Sequence, residues 1–159
     1  MQIHFRQSTF DDIPRLLSIQ KAAFLEDLLR YEDFETNPAC ESFETLKDNI
    51  EKAHHFTILH EHCHIIGAID IRGNNERMHI SKIFVDPEIQ NKGIGTYSMK
   101  YIESIFPDTK LWTLYTPCLS FRNHHLYEKL GYKKVKETPV NDKLVLFKYE
   151  KLGGDIKQL

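Results

Sequence analysis

Hydrophobic and polar positions switch between periods along this chain. Ile3 to Gln7 alternates and predicts a short edge strand. From Phe10 to Phe24, apolar residues recur at Ile13, Leu16, Leu17 and Ile19 to Ala23, the one-sided spacing of a helix. Ser8 and Thr9 stand ahead of it as N-cap candidates, and Asp11 and Asp12 suit the positive end of its dipole. Thr36-Asn37-Pro38 interrupts the pattern. Glu41 to Lys52 predicts a second helix carrying Phe43, Leu46 and Ile50. The period then drops to two: His55 to His60, His64 to Arg72 and Met78 to Asp86 predict strands joined by short polar turns, one of them Gly73-Asn74-Asn75. Gly93 to Phe106 predicts a helix and Leu111 to Tyr115 a short strand. Ser120 to Leu130 predicts a further helix, stopped by Gly131 as a C-cap. Val135 and Lys143 to Tyr149 supply the last strands. The order β-α-α-β-β-β-α-β-α-β-β predicts an α/β (α+β) fold with a mixed, largely antiparallel sheet. With no repeat or linker, the 159 residues are expected to form a single domain, 1–159.

Composition narrows the class. The chain is 41% hydrophobic and 28% charged, ordinary for a soluble globular protein. No apolar run approaches the ~20 residues of a membrane-spanning helix, and the start lacks the layout of a signal peptide. Cys40, Cys63 and Cys118 are odd in number and scattered, so no disulfide framework is expected and the location is read as cytoplasmic. A net charge of −2 argues against nucleic-acid binding, and no membrane association is expected. The average conceals an asymmetry. Between Phe24 and Glu51 stand Glu26, Asp27, Glu32, Asp33, Glu35, Glu41, Glu44, Asp48 and Glu51 against only Arg30 and Lys47. The remainder is net basic, with lysines thickening after Lys92. Such a molecule has the charge to hold an anionic ligand and a cationic one, or simply carries solvated acidic helix faces.

The chemistry concentrates in IFVDPEIQNKGIGTYSMKYIESIF, Ile83 to Phe106. A strand breaks at Asp86-Pro87, crosses Gly93 and Gly95, and continues as a helix. A helix start offers unpaired N–H groups and a partial positive charge, and small residues let a phosphate approach them. The nucleotidase phosphate loop is excluded because the lysine precedes the first glycine. The dinucleotide fingerprint is excluded because the run is G-I-G-T-Y-S after antiparallel strands. Downstream stands SFRNHHLYEKLGYKKV, Ser120 to Val135. Together the two stretches resemble the GNAT superfamily of acyl-CoA-dependent N-acyltransferases. The first is similar to its Q/R-x-x-G-x-G/A loop with the preceding V-x-P (Val85, Pro87), the second to its Y-E-K-x-G-[FY] helix end.

The resemblance implies a twisted sheet with helices on both faces and a splayed, V-shaped cofactor cleft. It implies acetyl-CoA as cosubstrate and no metal. The pantetheine arm would pair with backbone at Ile83, Phe84 and Val85, while Asn91, Lys92, Gly93, Ile94, Gly95 and Thr96 hold the diphosphate and Gln90 supports their loop. Tyr127 would supply the proton to the leaving thiolate. Family members carry Asn seven residues before this Tyr; Ser120 stands there instead, and the cofactor contact is assigned to Asn123, one turn before Tyr127. His79, on the strand before the loop, is the choice for the base, with Glu76 behind it. The expected reaction is direct acetyl transfer to a primary amine of a small molecule or peptide, with a homodimer allowed. The acidic segment, with Phe24, Tyr31, Phe34 and Phe43 as apolar walls, would favour a cationic acceptor. The alternatives are a coenzyme A-binding regulatory protein without catalysis and a metal-binding protein built on His60-Glu61-His62-Cys63-His64. The latter is disfavoured because a hairpin turn breaks the alignment of its histidines and no second ligand cluster appears. Cys118 lies near the end of the cleft strand but has no evident activating base, so it is read as a packed thiol.

Overall fold

A computed structural model describes residues 2–61, 63–90 and 92–153. Its strands are β1 (Ile3–Gln7), β2 (His54–His60), β3 (His64–Asn74), β4 (Arg77–Val85), β5 (Leu111–Pro117), β6 (Lys133–Pro139) and β7 (Val145–Leu152). Its α-helices are α1 (Ile13–Tyr31), α2 (Phe43–Lys52), α3 (Ile94–Ile105) and α4 (Phe121–Lys129). The strands form a seven-stranded sheet in the order β1-β2-β3-β4-β5-β7-β6, a mixed α/β fold with mostly antiparallel pairing. The parallel pair is β4 with β5, whose register runs from Met78↔Trp112 to Ile80↔Leu114.

The chain forms two compact units. The first runs to Ile71 and resumes over Lys82–Ser98; the second takes Arg72–Ser81 and the described residues from Met99 onward. In the first, α1 and α2 turn Ile13, Leu16, Ile19 and Leu46 onto Ala68 and Phe84, a core closed by complete burial of these side chains. Gly67 allows β3 to approach β4, since a Cβ there would strike the Phe84 carbonyl. The corner between β1 and α1 is locked by Asp12, which receives both arms of Arg6 at 2.7 and 2.9 Å, the Thr9 N–H at 2.8 Å and the Thr57 hydroxyl at 3.1 Å. Burial pushes the Asp12 carboxyl up, but these donors outweigh it and hold the group below its usual range. In the second unit Trp112, Leu114, Tyr132 and Tyr149 are buried, with Phe106 edge-on to Trp112 at 6.4 Å.

Several elements depart from their predicted bounds. α1 continues to Tyr31, past the predicted end at Phe24, because Tyr31 is fully buried and anchors the last turn. Phe24 packs against Phe84 at 6.0 Å, so Phe24 and Tyr31 belong to the core and only Phe34 and Phe43 of the expected apolar walls are exposed. β6 is a whole strand where only Val135 was apparent, since an exposed lysine-rich edge carries no alternation.

Candidate functional site

In the first unit, β4 alternates: Lys82 and Phe84 turn inward, and Ile83 is half-buried on the other face. Lys82 is received by Glu41 at 3.0 and 2.8 Å, a largely buried ion pair that takes Glu41 out of the acidic surface. The strand ends at Val85, also buried. Asp86 then organises a tight return: its Oδ1 accepts the Glu88 N–H at 3.0 Å and its carbonyl accepts the Ile89 N–H at 3.0 Å, closing one 3-10 turn over Pro87–Ile89. Asp86 is also tied to Arg15 of α1 at 3.3 Å. Gln90 reaches back, its Nε2 donating to the Val85 carbonyl at 3.3 Å. Asn91 lies outside the described residues. The sequence marked Asp86-Pro87 as the strand break, and Asp before Pro at a strand end is a turn signal, but it did not single out Arg15.

This turn delivers the chain to an open helix start. Gly93 adopts φ +76°, and its carbonyl accepts the Tyr97 N–H at 3.0 Å, which makes it the N-cap of α3. The side chain of Ile94 is buried and fixes the first turn, and the Ser98 hydroxyl donates to the Ile94 carbonyl at 2.7 Å. The N–H groups of Ile94, Gly95 and Thr96 have no partner among the described residues. A Cβ on Gly93 would meet nothing within 4 Å. Lys92 is exposed beside it, and a pocket of about 550 Å³ opens there, lined by Gln2, Ile3 and His4 with Lys92, Gly93, Ile94 and Tyr97. Three free donors, a helix dipole and a lysine form an anion seat, and they fit a diphosphate.

In the second unit, α4 ends on a fully bonded cap. Gly131, at φ +95°, donates to Glu128 O at 3.1 Å, and Tyr132 N–H donates to Tyr127 O at 3.0 Å. These are the two bonds of a Schellman motif, and the Tyr127 and Tyr132 rings supply its apolar contact at 6.0 Å. The spacing Y-x-x-x-G-Y is thus a helix stop. Tyr127 is 6% exposed, and its hydroxyl has no hydrogen-bond partner among the described residues. Burial raises its pKa to about 12. Asn123 donates to Thr116 Oγ1 at 3.4 Å, a long contact. His124 is buried, its Nε2–H donating to Pro117 O at 2.9 Å. His79 is half-buried, with Nδ1 2.6 Å from Thr113 Oγ1 and its ring edge-on to Tyr115 at 5.5 Å. Glu76 is held by Lys110 at 2.8 Å on the surface.

The sequence-predicted residues therefore fall into two groups. Ile83 to Val85 and Gln90 to Thr96, apart from Asn91, come together in the first unit; His79, Asn123 and Tyr127 belong to the second. At the histidine hairpin, the His60 and His64 rings are 6.5 Å apart, Cys63 is exposed, and His62 lies outside the described residues. Among the described residues, no group of three or more His, Cys, Asp or Glu is placed to hold a metal ion.

The profile of the Acetyltransferase (GNAT) family matches residues 14–132, which include both motifs and the strands and helices that carry them. The chain belongs to the GNAT family. Among solved GNAT structures, it is similar to the ribosomal-protein-S18-alanine N-acetyltransferase of Escherichia coli (TM-score 0.78, 16% identity, 96% of this chain and 95% of that one). It is also similar to the spermidine N-acetyltransferase of Vibrio cholerae in complex with CoA and spermine (TM-score 0.76, 15% identity, 96% of each chain). A third is the PaiA N-acetyltransferase of Thermoplasma acidophilum in complex with coenzyme A (TM-score 0.74, 18% identity, 96% and 99%). At these identities the likeness is one of fold. A curated relative, the uncharacterized protein YrkN of Bacillus subtilis (strain 168), is 34% identical over 84 residues, 51% of this chain and 45% of its own length. The match thus spans about half of that relative. Among the described residues, no helix of this GNAT chain is long and apolar enough to cross a membrane.

Proposed function

We propose that the chain is an acetyl-CoA-dependent N-acetyltransferase, a single domain over residues 1–159 that passes an acetyl group directly to a primary amine of a small molecule or peptide. The observation that carries this reading is the open start of α3, three amides without a partner among the described residues behind a left-handed Gly93, in a member of the GNAT family. In this reading Ile94, Gly95 and Thr96, with Asn91, Lys92 and Gly93, hold the diphosphate, and Gln90 fixes their loop to β4. Ile83 to Val85 offer backbone to the pantetheine arm as to an added strand. Asn123 adds a cofactor contact. The three free cysteines among the described residues support a cytoplasmic setting.

Acetyl-CoA supplies an activated acyl carbon and a thiolate leaving group. The amine nitrogen bonds to that carbon, the C–S bond breaks, His79 takes the ammonium proton, and the Tyr127 hydroxyl meets the departing sulfur. Burial pushes the Tyr127 phenol up to about 12, so it reaches the departing sulfur still carrying its proton. Tyr127 therefore stabilises the thiolate chiefly as a hydrogen-bond donor in a dry environment. Calorimetry with coenzyme A, followed by thiol release from acetyl-CoA over an amine panel, tests the proposal. Failure to bind coenzyme A overturns it outright; binding without turnover on any amine leaves the regulatory protein instead.

For the acceptor, we propose a cationic amine. Glu26, Glu41 and Asp48 of the acidic segment are engaged by Arg30, Lys82 and Lys52, while Glu35, Glu44 and Glu51 are exposed. Burial, with Glu26 and Asp33 adding to it, lifts the half-buried Asp27 above the usual carboxylate range despite Arg30. The KM for the amine should rise with salt, because exposed charges are screened within ~10 Å at 0.1 M. Preference for neutral or acidic amines would reduce the segment to a solvated surface.

A further inference from the structure

The two faces of α1 do not divide as those of a surface helix should. Ile13, Leu16, Ile19 and Gln20 are buried on the inner face. The opposite face carries Ser18, Ala22, Leu25 and Leu29, at the alternating four-and-three spacing of a heptad seam. All four are exposed, Leu25 at 42% and Leu29 at 71%. Exposed leucines stacked one turn apart form a stripe, and a stripe asks for a partner.

We propose that this stripe is the contact of a parallel homodimer, α1 against α1 of a second copy. The charges flanking it point to a second copy rather than to another occupant. With Ala22 and Leu29 at a and Ser18 and Leu25 at d, Lys21 is a g position and Glu26 the e position that follows. In a parallel pair, g of one helix meets e of the other, so Lys21 faces Glu26 of the partner subunit, and the two-fold axis repeats the bond. Both side chains are available. Lys21 is exposed and has no ion-pair partner among the described residues, and Glu26 is 85% exposed, held only by Arg30 at 3.6 Å. An antiparallel pair would set Lys21 toward Lys21 and Glu26 toward Glu26. An anionic membrane is opposed by Glu26, Asp27, Glu32 and Asp33. The seam tapers from Ser18 and Ala22, where the axes approach closely, to Leu25 and Leu29, where they part. So short a seam buries less than the ~1,600 Å² of a standard interface, and a dissociation constant in the micromolar range is expected.

Sedimentation velocity over a concentration series, from about 1 μM to about 1 mM, reads the equilibrium. The wild-type chain should pass from monomer to dimer. Leu29→Glu, at an exposed position that leaves the core untouched, should remain monomeric with an unchanged circular dichroism spectrum. Lys21→Glu should weaken the dimer about 10-fold, and Lys21→Glu with Glu26→Lys should return it to within about threefold of wild type. Ala22→Cys in a Cys40→Ser, Cys63→Ser background should give a disulfide-linked dimer on oxidation, because a parallel pair sets each a position against its own copy, whereas an antiparallel pair sets a against d. A chain that stays monomeric throughout, or a dimer that survives Leu29→Glu, overturns the proposal. So does a double charge swap that fails to restore what the single swap lost. None of these readings depends on catalysis.

Discussion

Two helix ends in this molecule are built around a left-handed glycine, and they are finished in opposite ways. At the end of α4, Gly131 lets Tyr132 and its own N–H turn back onto Tyr127 and Glu128, so that the carbonyls are bonded and two rings cover the joint. At the start of α3, Gly93 also turns the chain through a left-handed conformation, but the N–H groups of Ile94, Gly95 and Thr96 have no partner among the described residues. A helix end that only has to be stable is closed by its own chain. One left open, after a turn tied down by Asp86, Arg15 and Gln90, keeps donors that no described residue satisfies. The lesson is that the residues around a glycine, more than the glycine itself, separate a closed helix end from an open one.

The largest expected effect tests the open end. Gly95 sits inside the first turn of α3, where a carboxylate is favourable to the helix dipole. Gly95→Glu should therefore leave the fold intact while filling the anion seat with like charge. Coenzyme A affinity is expected to fall about 10³-fold, with the melting temperature unchanged or slightly raised. Calorimetry on the folded variant decides the matter; wild-type affinity would remove this seat.

The closed end holds the next test. Tyr127→Phe keeps the ring against Tyr132 and Tyr149 and deletes only the hydroxyl. We expect kcat to fall about 10²-fold and coenzyme A affinity to stay within about twofold. With a pKa of about 12, Tyr127 stays protonated across the working range, so wild-type activity should rise with pH as amine and base deprotonate, without a falling limb from this residue below about pH 10. The same shift has a stability sign. Because the folded value lies above the unfolded one near 10, its contribution is complete below pH 10 and is lost as pH rises toward 12, roughly 3 kcal/mol in all. Denaturant titration at pH 8 and pH 11 should show about half of that loss in wild type and less in Tyr127→Phe.

Gly131→Ala acts on the cap alone. The nearest atom to a new Cβ would be Lys151 Cε at 3.5 Å, an ordinary contact, so the penalty comes from the backbone at φ +95°. A loss of about 1–2 kcal/mol is expected, a melting temperature lower by about 3–6 °C, and unchanged coenzyme A affinity. An unaltered melting temperature would mean the Schellman closure contributes little.

Both ends were legible in sequence to different depths. Gly131 announced itself because a C-cap glycine after a periodic helix has one common use. The strand-loop-helix joint was legible because glycines and a Pro bracket it. What could not be read were features that depend on distant partners. Glu41 was counted with the acidic segment, yet it meets Lys82 in a largely buried pair, which no local pattern announces. Tyr31 was read as an apolar wall of the acceptor pocket, whereas its burial extends α1 to include it. β6 has no apolar face to reveal it, because its order comes from pairing with β7.

The smallest effects make the sharpest use of the comparison, because they set Gly93 and Gly95 against each other. Gly93 is needed for its backbone: at φ +76°, alanine is strained, but its methyl would meet no atom within 4 Å. Gly93→Ala should thus cost about 1 kcal/mol of stability and change coenzyme A affinity only slightly. Gly95 lies within α3 and is not among the residues of positive φ, so its backbone does not demand glycine. Gly95→Ala should raise stability by up to about 1 kcal/mol through helix propensity. If the missing side chain makes room for a diphosphate, the same methyl should weaken coenzyme A binding about fivefold. Opposite signs in stability, with the affinity loss confined to the more stable variant, is the expected pattern. Equal behaviour of the two variants in melting and calorimetry would mean that both glycines serve only the turn, and that the open end of α3 is open for some other reason.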